Sequence, residues 1–209
     1  MAEIAATQVK ELRDRTGAGM MDCKRALVEA EGNLDKAAEI IQKKGLAKAA
    51  NKSGRIAAEG VVHSYIHPGG RVGVLIEINC ETDFVARSED FKTFVEDVAM
   101  HVAASSPQYV RREQVPAETV AKQREIFEAQ VKASGKPEKI VPKIVDGKID
   151  SWYSEICLLE QPFVREPHKN IETVRAALVA KTGENVQIRR FVRYELGEGL
   201  GATPTADPA

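Results

Sequence analysis

The spacing of the apolar residues changes from two to three or four within residues 72–102. In the first part every second position is apolar, which predicts a strand with one buried face. These alternating positions are Val72, Val74, Ile76 and Ile78. In the second part the spacing is helical, and Ser88 is a suitable N-cap for the helix. Asp83 and Phe84 lie in the connection between the two elements, where functional residues are often found.

The N-terminal residues show helical spacing in three successive segments. Glycines separate the first segment from the second, and Gly32 ends the second. Asn33 is a suitable N-cap for the third segment. The apolar positions are Ile4, Ala5, Val9, Leu12, Cys23, Ala26, Leu27, Ala30, Leu34, Ala37, Ala38 and Ile41. We therefore predict a three-helix module over residues 1–45.

Residues 43–55 carry several lysines and one arginine but no acidic residue. Together with the alanine content, this pattern predicts a basic linker over residues 46–58. A charge run of this kind usually only solvates a surface. The alternative is a contact with an acidic partner, whose rate of association the lysines would increase.

The remaining sequence predicts an α+β core over residues 59–196. It begins with an antiparallel hairpin of strands, because Pro68 and two glycines separate two apolar runs. Residues 116–160 predict an inserted helical hairpin, in which Pro142 and Gly147 favour a kink or break of the second helix. The final strand has Arg190 at an apolar position, which indicates a bulge or an edge strand. Residues 197–209 contain no large apolar run and are predicted to be disordered. Asn170 and Gly183 are expected to begin and end the last helix.

The composition is typical of a globular protein whose partner is another protein. The 209 residues include 30 basic and 31 acidic side chains, so the formal net charge is −1. This balance argues against a broad binding surface for nucleic acid or for an anionic membrane. No apolar run reaches the length of a membrane span, and the first residues do not resemble a signal peptide. We expect a cytoplasmic protein without a cofactor.

The search for catalytic and metal-binding residues assigns none. Cys23, Cys80 and Cys157 are widely spaced, which indicates neither a disulfide framework nor a zinc ribbon, and we expect buried structural cysteines. His63 and His67 are four residues apart, but on a predicted strand this spacing does not favour a metal site.

Two segments resemble the signature sequences of the translation elongation factor Ts family. They are LRDRTGAGMMDCKRAL at residues 12–27 and NCETDFVA at residues 79–86. Further similarity at residues 99–104, 135–138, 161–164 and 191–199 extends the resemblance over nearly the whole chain. The chain is similar to the short form of the family, which has a single sheet-bearing core unit. Pro142 departs from the expected pattern of the helical hairpin.

The resemblance implies a guanine-nucleotide exchange factor without reaction chemistry of its own. Its partner would be elongation factor Tu, in the GDP-bound and nucleotide-free states, during the elongation cycle of protein synthesis. The N-terminal module would be of the ubiquitin-associated type and would contact the partner's nucleotide-binding domain. The implied contact residues in this module are Ala18, Gly19, Met20 and Met21. In the core, Asp83 and Phe84, flanked by Thr82 and Val85, would wedge near the partner's nucleotide and magnesium site.

The residues themselves leave other interpretations open. Methionines at a helix start are often core residues, and Phe84 could anchor the following helix in the core. Glu81 and Asp83 could be the acid/base pair of a small α+β enzyme. The N-terminal module alone could bind a ubiquitin-like protein. The irregular final strand and the single core unit also lead us to expect that two chains associate.

Overall fold

The computed structural model describes residues 4–200. Its main part is a three-stranded antiparallel sheet packed against helices, and three N-terminal helices and a helical hairpin are attached to it. The fold is therefore α+β, as the sequence predicts. Among the described residues, no helix combines the length and the apolar character that crossing a membrane requires.

The three predicted N-terminal helices are present. They are α1 (Ala6–Thr16), α2 (Met20–Glu29) and α3 (Leu34–Lys52). Gly17 ends α1 in the left-handed conformation, with φ 68°. The Asn33 side chain caps α3 by accepting a hydrogen bond from the backbone N–H of Lys36. The buried residues that the three helices share are Val9, Leu12, Cys23, Ala26, Leu27, Ala30 and Ala37.

The rest of the chain alternates strands and helices. The strands are β1 (Glu59–Ile66), β2 (Val72–Cys80), β3 (Pro162–Phe163), β4 (Glu166–Asn170) and β5 (Gln187–Glu195). The helices are α4 (Asp83–Ala86), α5 (Glu89–Ser105), α6 (Ala117–Ala133), α7 (Val141–Ile156) and α8 (Ile171–Thr182). Asn170 caps α8, and Gly183 ends it with φ 80°, as predicted.

The linker predicted over residues 46–58 needs correction, because α3 continues to Lys52. The second half of α3 packs on α8, and Ala49 lies in the main core with Leu46 against it. Small residues allow this approach: a Cβ added at Gly45 would lie 3.8 Å from the carbonyl oxygen of Ala176. The alanine content that suggested a connector therefore serves helix packing.

The main sheet has the order β1-β2-β5, and both pairs are antiparallel. The predicted irregularity of the last strand is confirmed: β5 is an edge strand, and its register shifts between the pairs Glu77–Arg190 and Ile78–Ile188. Arg189 is the extra residue of this bulge. The Glu77 carboxylate lies 2.7 Å from both Arg189 and Arg190, and these hydrogen bonds lower the pKa of Glu77. The bulge thus gathers two cations on one carboxylate.

One face of the main sheet packs on α5, and the other carries exposed apolar side chains. We call the second one the outer sheet face. Its cross-strand register aligns Ile66 with Gly73 and Gly73 with Tyr194. Its exposed large apolar residues are Val62, Ile66, Leu75, Val192 and Tyr194.

Helices α6 and α7 form the helical hairpin predicted over residues 116–160. Of the kink or break predicted at Pro142 and Gly147, the break is absent, since α7 is a continuous helix from Val141 to Ile156. Pro142 lies in the first turn of α7, where an intrahelical backbone donor is not needed, so it begins the helix instead of breaking it. Of the predicted disordered tail, residues 197–199 form turns. Residues 201–209 of this tail lie outside the described residues.

Candidate functional site

The connection between β2 and α5 is the single helical turn α4. The backbone N–H of Val85 donates to the Thr82 hydroxyl at 3.4 Å, which caps α4. The backbone N–H of Phe91 donates to the Ser88 hydroxyl at 3.3 Å, so the predicted cap of α5 is confirmed. Two capped helices in succession fix the backbone that carries Asp83 and Phe84.

Phe84 and Val85 are consecutive residues of α4 that differ strongly in burial. Phe84 is 82% exposed, whereas Val85 is 7% exposed and lies in the main core. The interpretation of Phe84 as a core residue is therefore wrong. The side chain of Val85 anchors the turn in the core, so the exposed part of the turn at this residue is its backbone. A buried apolar neighbour thus holds an exposed aromatic ring in place.

Asp83 lies beside Phe84 on the exposed side of the turn. One of its carboxylate oxygens is 2.5 Å from Nη2 of Arg87, an i,i+4 ion pair. Both side chains are largely exposed, so this pair contributes little to stability. Asp83 therefore presents a carboxylate on the same surface as the Phe84 ring.

Residues beyond α8 hold the start of the turn. Glu184 accepts hydrogen bonds from the backbone N–H groups of Glu81 and Thr82, at 3.1 and 3.0 Å. It also accepts from the Thr82 hydroxyl at 2.6 Å. In return, Glu81 accepts from the backbone N–H of Asn185 at 2.6 Å and lies 3.5 Å from the Arg55 guanidinium. The Glu81 carboxylate is thus occupied by structural contacts, which weakens the acid/base interpretation of Glu81 and Asp83.

The second candidate region is the start of α2. Gly19 is its N-cap, and Met20 and Met21 are 47% and 66% exposed. Ala18 is half-buried, and its carbonyl oxygen accepts from the Cys23 thiol at 3.7 Å. The interpretation of Met20 and Met21 as core residues is therefore wrong. Two flexible apolar side chains lie on the surface of the module instead.

Ion pairs join α2 to α3. Asp22, next to Met21, lies 3.0 Å from Lys48 of α3, and its hydrogen bonds to Arg25 and Lys48 lower the pKa of its carboxyl. Lys44 is paired with Glu29 at 2.5 Å. These internal ion pairs favour the interpretation of the basic run as an ordinary solvated surface.

The three cysteines are buried and unpaired with one another. Burial raises the pKa of Cys23, and it raises those of Cys80 and Cys157 to about 11, so these thiols remain protonated and are poor nucleophiles. Within residues 4–200, no three His, Cys, Asp or Glu side chains are grouped as metal ligands. His67 is instead hydrogen-bonded to the Tyr65 hydroxyl at 3.1 Å.

Comparison with known proteins covers nearly the whole chain. Residues 3–198 match the family model described as Elongation factor TS. A relative from Desulforamulus reducens named Elongation factor Ts is 60% identical over 200 residues, which are 96% of this chain and 92% of the relative. Its namesake from Alkaliphilus oremlandii is 60% identical over 198 residues, 95% of this chain and 91% of the relative. The one from Moorella thermoacetica is 57% identical over 197 residues, 94% of this chain and 97% of the relative.

Proposed function

The chain belongs to the elongation factor Ts family, and we propose that it promotes GDP release from elongation factor Tu in the elongation cycle of protein synthesis. It acts in the cytoplasm, on the GDP-bound form of elongation factor Tu, and forms a complex with the nucleotide-free form. The observation that supports this function is the exposed Phe84 ring on a turn fixed by two caps and a buried anchor.

The proposed mechanism is a coupling between two ligands of elongation factor Tu. Asp83 and Phe84 insert near the nucleotide and magnesium site and stabilise a conformation that holds GDP poorly. By linkage, GDP weakens the binding of this chain by the same factor as this chain weakens the binding of GDP. Burial of a phenylalanine contributes about 1.5–3 kcal/mol. Because the turn is already formed in the free protein, little of this free energy is offset by the entropy cost of ordering a loop. No catalytic residue is required.

A second contact is proposed at the start of α2. Met20 and Met21, with the adjacent Ala18 and Gly19, bind the nucleotide-binding domain of elongation factor Tu. The exposure of both methionines supports this contact. Methionine side chains adapt to irregular apolar surfaces, which suits a partner that changes conformation during binding.

The test is the release of a fluorescent GDP analogue from purified elongation factor Tu. We expect the release rate to rise with the concentration of this chain and then to saturate. Added GDP should weaken the binding of this chain to elongation factor Tu by the same factor as this chain weakens the binding of GDP. A release rate that stays at its basal value, at concentrations where the complex forms, would contradict the proposed function. Assays of hydrolase activity on the isolated chain test the alternative enzyme with Glu81 and Asp83.

We also propose that two copies associate through the outer sheet face. Its exposed apolar side chains and the bulged edge strand support this association. A stable interface buries about 800 Å² per partner, and contiguous apolar surface of this kind is uncommon on monomers. The proposed dimer would give the single core unit a second sheet to pack against.

Sedimentation at micromolar concentration tests the dimer. We expect the wild-type protein to sediment as a dimer and the Ile66→Glu variant as a monomer, because the glutamate charge would be buried between the two sheets. Ile66 is 65% exposed in the single chain, so its replacement should leave the fold intact. The matched control is Ile126→Glu on the helical hairpin, at a position 43% exposed. A wild-type protein that sediments only as monomer and retains full exchange activity would rule out the dimer.

A further inference from the structure

Glu184 lies directly after the glycine that ends α8, and its carboxylate faces the beginning of the Phe84 turn. Oε2 accepts from the backbone N–H groups of Glu81 and Thr82, and Oε1 accepts from the Thr82 hydroxyl. One carboxylate therefore satisfies both backbone donors that precede α4. Because the Thr82 hydroxyl donates its proton to Glu184, its oxygen faces the backbone N–H of Val85 as an acceptor. Glu184 thus orients the cap of the turn.

The backbone next to Glu184 is itself held firmly. Asn185 is fully buried, and its side-chain amide donates to the carbonyl oxygen of Arg55 at 2.8 Å. Its backbone N–H donates to the Glu81 carboxylate. The contact between residues 81–82 and 184–185 is therefore reciprocal, with each segment supplying a carboxylate to the backbone donors of the other. Charge-assisted hydrogen bonds of this kind are stronger than neutral ones.

We propose that Glu184 is a positioning residue for nucleotide exchange, acting through Thr82 to hold Phe84 in the orientation that elongation factor Tu binds. Glu184 contacts the turn and not the Phe84 ring. The inference rests on the proposed function for its consequence in exchange, whereas its structural part concerns the free protein. A displaced ring would bury less apolar surface against elongation factor Tu, so the removal of Glu184 should slow GDP release by no more than the removal of the ring does.

A positioning role predicts a different result from a purely stabilising one. If Glu184 acts through Phe84, its removal should have no further effect on exchange once the ring is gone. If it only stabilises the fold, or contacts the partner elsewhere, the two effects should multiply. The free energy of unfolding should not follow the pattern of the exchange rate. Phe84→Ala should change it little, because Phe84 is exposed and contributes little to stability.

The exchange experiment compares Glu184→Ala, Glu184→Gln, Phe84→Ala and the double alanine variant at saturating concentration. We expect Glu184→Ala to slow GDP release about tenfold and the double variant to be no slower than Phe84→Ala. Glu184→Gln should lose only about threefold, because its amide oxygen can still accept from both backbone N–H groups. The control is Glu160→Ala, which removes a carboxylate paired with Arg112 at the base of the helical hairpin. This variant should promote GDP release at the wild-type rate.

Hydrogen exchange in the free full-length protein tests the same residue without elongation factor Tu. The backbone amides of Glu81 and Thr82 should exchange faster in Glu184→Ala and, to a smaller degree, in Glu184→Gln. Amides within α5 should be unchanged. Unchanged protection at residues 81–82, or multiplying effects in the double variant, would overturn the positioning role. A different outcome combines faster amide exchange in Glu184→Ala with a wild-type protein that does not accelerate GDP release from elongation factor Tu. This outcome would overturn the proposed function and would leave intact the structural role of Glu184 in positioning the turn.

Discussion

Replacing Phe84 with alanine should slow GDP release from elongation factor Tu by about 10- to 100-fold, because about 1.5–3 kcal/mol of apolar burial in the complex is lost. The free protein should keep its stability to within about 0.5 kcal/mol, since exposed side chains contribute little. The ring is 82% exposed, so its removal leaves no cavity in the core. The measurements are the rate of fluorescent GDP release and the melting temperature of the free chain.

Phe91 is the matched control, because it is a phenylalanine only seven residues further along the chain and is fully buried. Phe91→Ala should cost about 3–5 kcal/mol of folding free energy and lower the melting temperature sharply. The Phe91→Ala molecules that remain folded should still promote GDP release from elongation factor Tu, since Phe84 is unchanged. If Phe84→Ala melts normally and exchanges at the wild-type rate, the proposed role of Phe84 is wrong.

The parts of the site that depend on local chemistry could be predicted from the sequence. The alternation in β2 fixes which of its residues are buried, and a hydroxyl at residue 88 before two acidic residues is a strong N-cap signal. These two signals place Phe84 between two defined elements. The same reasoning could not decide the exposure of Phe84, because a single apolar residue in a turn fits either side.

The contact of Glu184 with Thr82 could not be predicted, because it joins residues 102 positions apart. Local periodicity contains no information on such a pair. The only sequence signal was indirect: residue 184 follows a helix-ending glycine and precedes a strand, which is where chain segments from distant positions meet. Long-range polar contacts of this kind become visible only when the sheet is assembled.

The predicted linker ends α3 too early, although the sequence contains a signal for the full extent of this helix. Lys44, Lys48 and Lys52 are spaced by four, so on a helix they share one face, and Gly45 and Ala49 share a neighbouring face that is buried. The lysines favour a linker in the sequence because the small buried residues between them give only a weak apolar pattern. The same ambiguity applies to Pro142, because a proline that breaks a helix in its interior is also favourable in its first turn.

Truncation of the N-terminal module gives the second large effect expected from the structure. The division between module and core lies within α3, whose first half packs on α1 and α2 and whose second half packs on α8. Removal of residues 1–41 takes away Met20 and Met21 but keeps Leu46 and Ala49 in the core. We expect this variant to fold with a core of nearly unchanged stability. Its complex with elongation factor Tu should be at least about tenfold weaker, because an apolar contact worth more than about 1.4 kcal/mol is lost.

Removal of residues 1–52 is the matched comparison, because it also deletes the second half of α3. The core would lose the Leu46 and Ala49 side chains and leave the α8 surface exposed, at a cost of about 2–3 kcal/mol relative to the shorter deletion. Thermal unfolding of both variants and the concentration dependence of GDP release measure the two effects separately. An unfolded 1–41 deletion would show that α1 and α2 are integral to the core. A folded 1–41 deletion that binds elongation factor Tu as tightly as the full chain would show that the module makes no contact, and Phe84 would then account for the exchange activity without it.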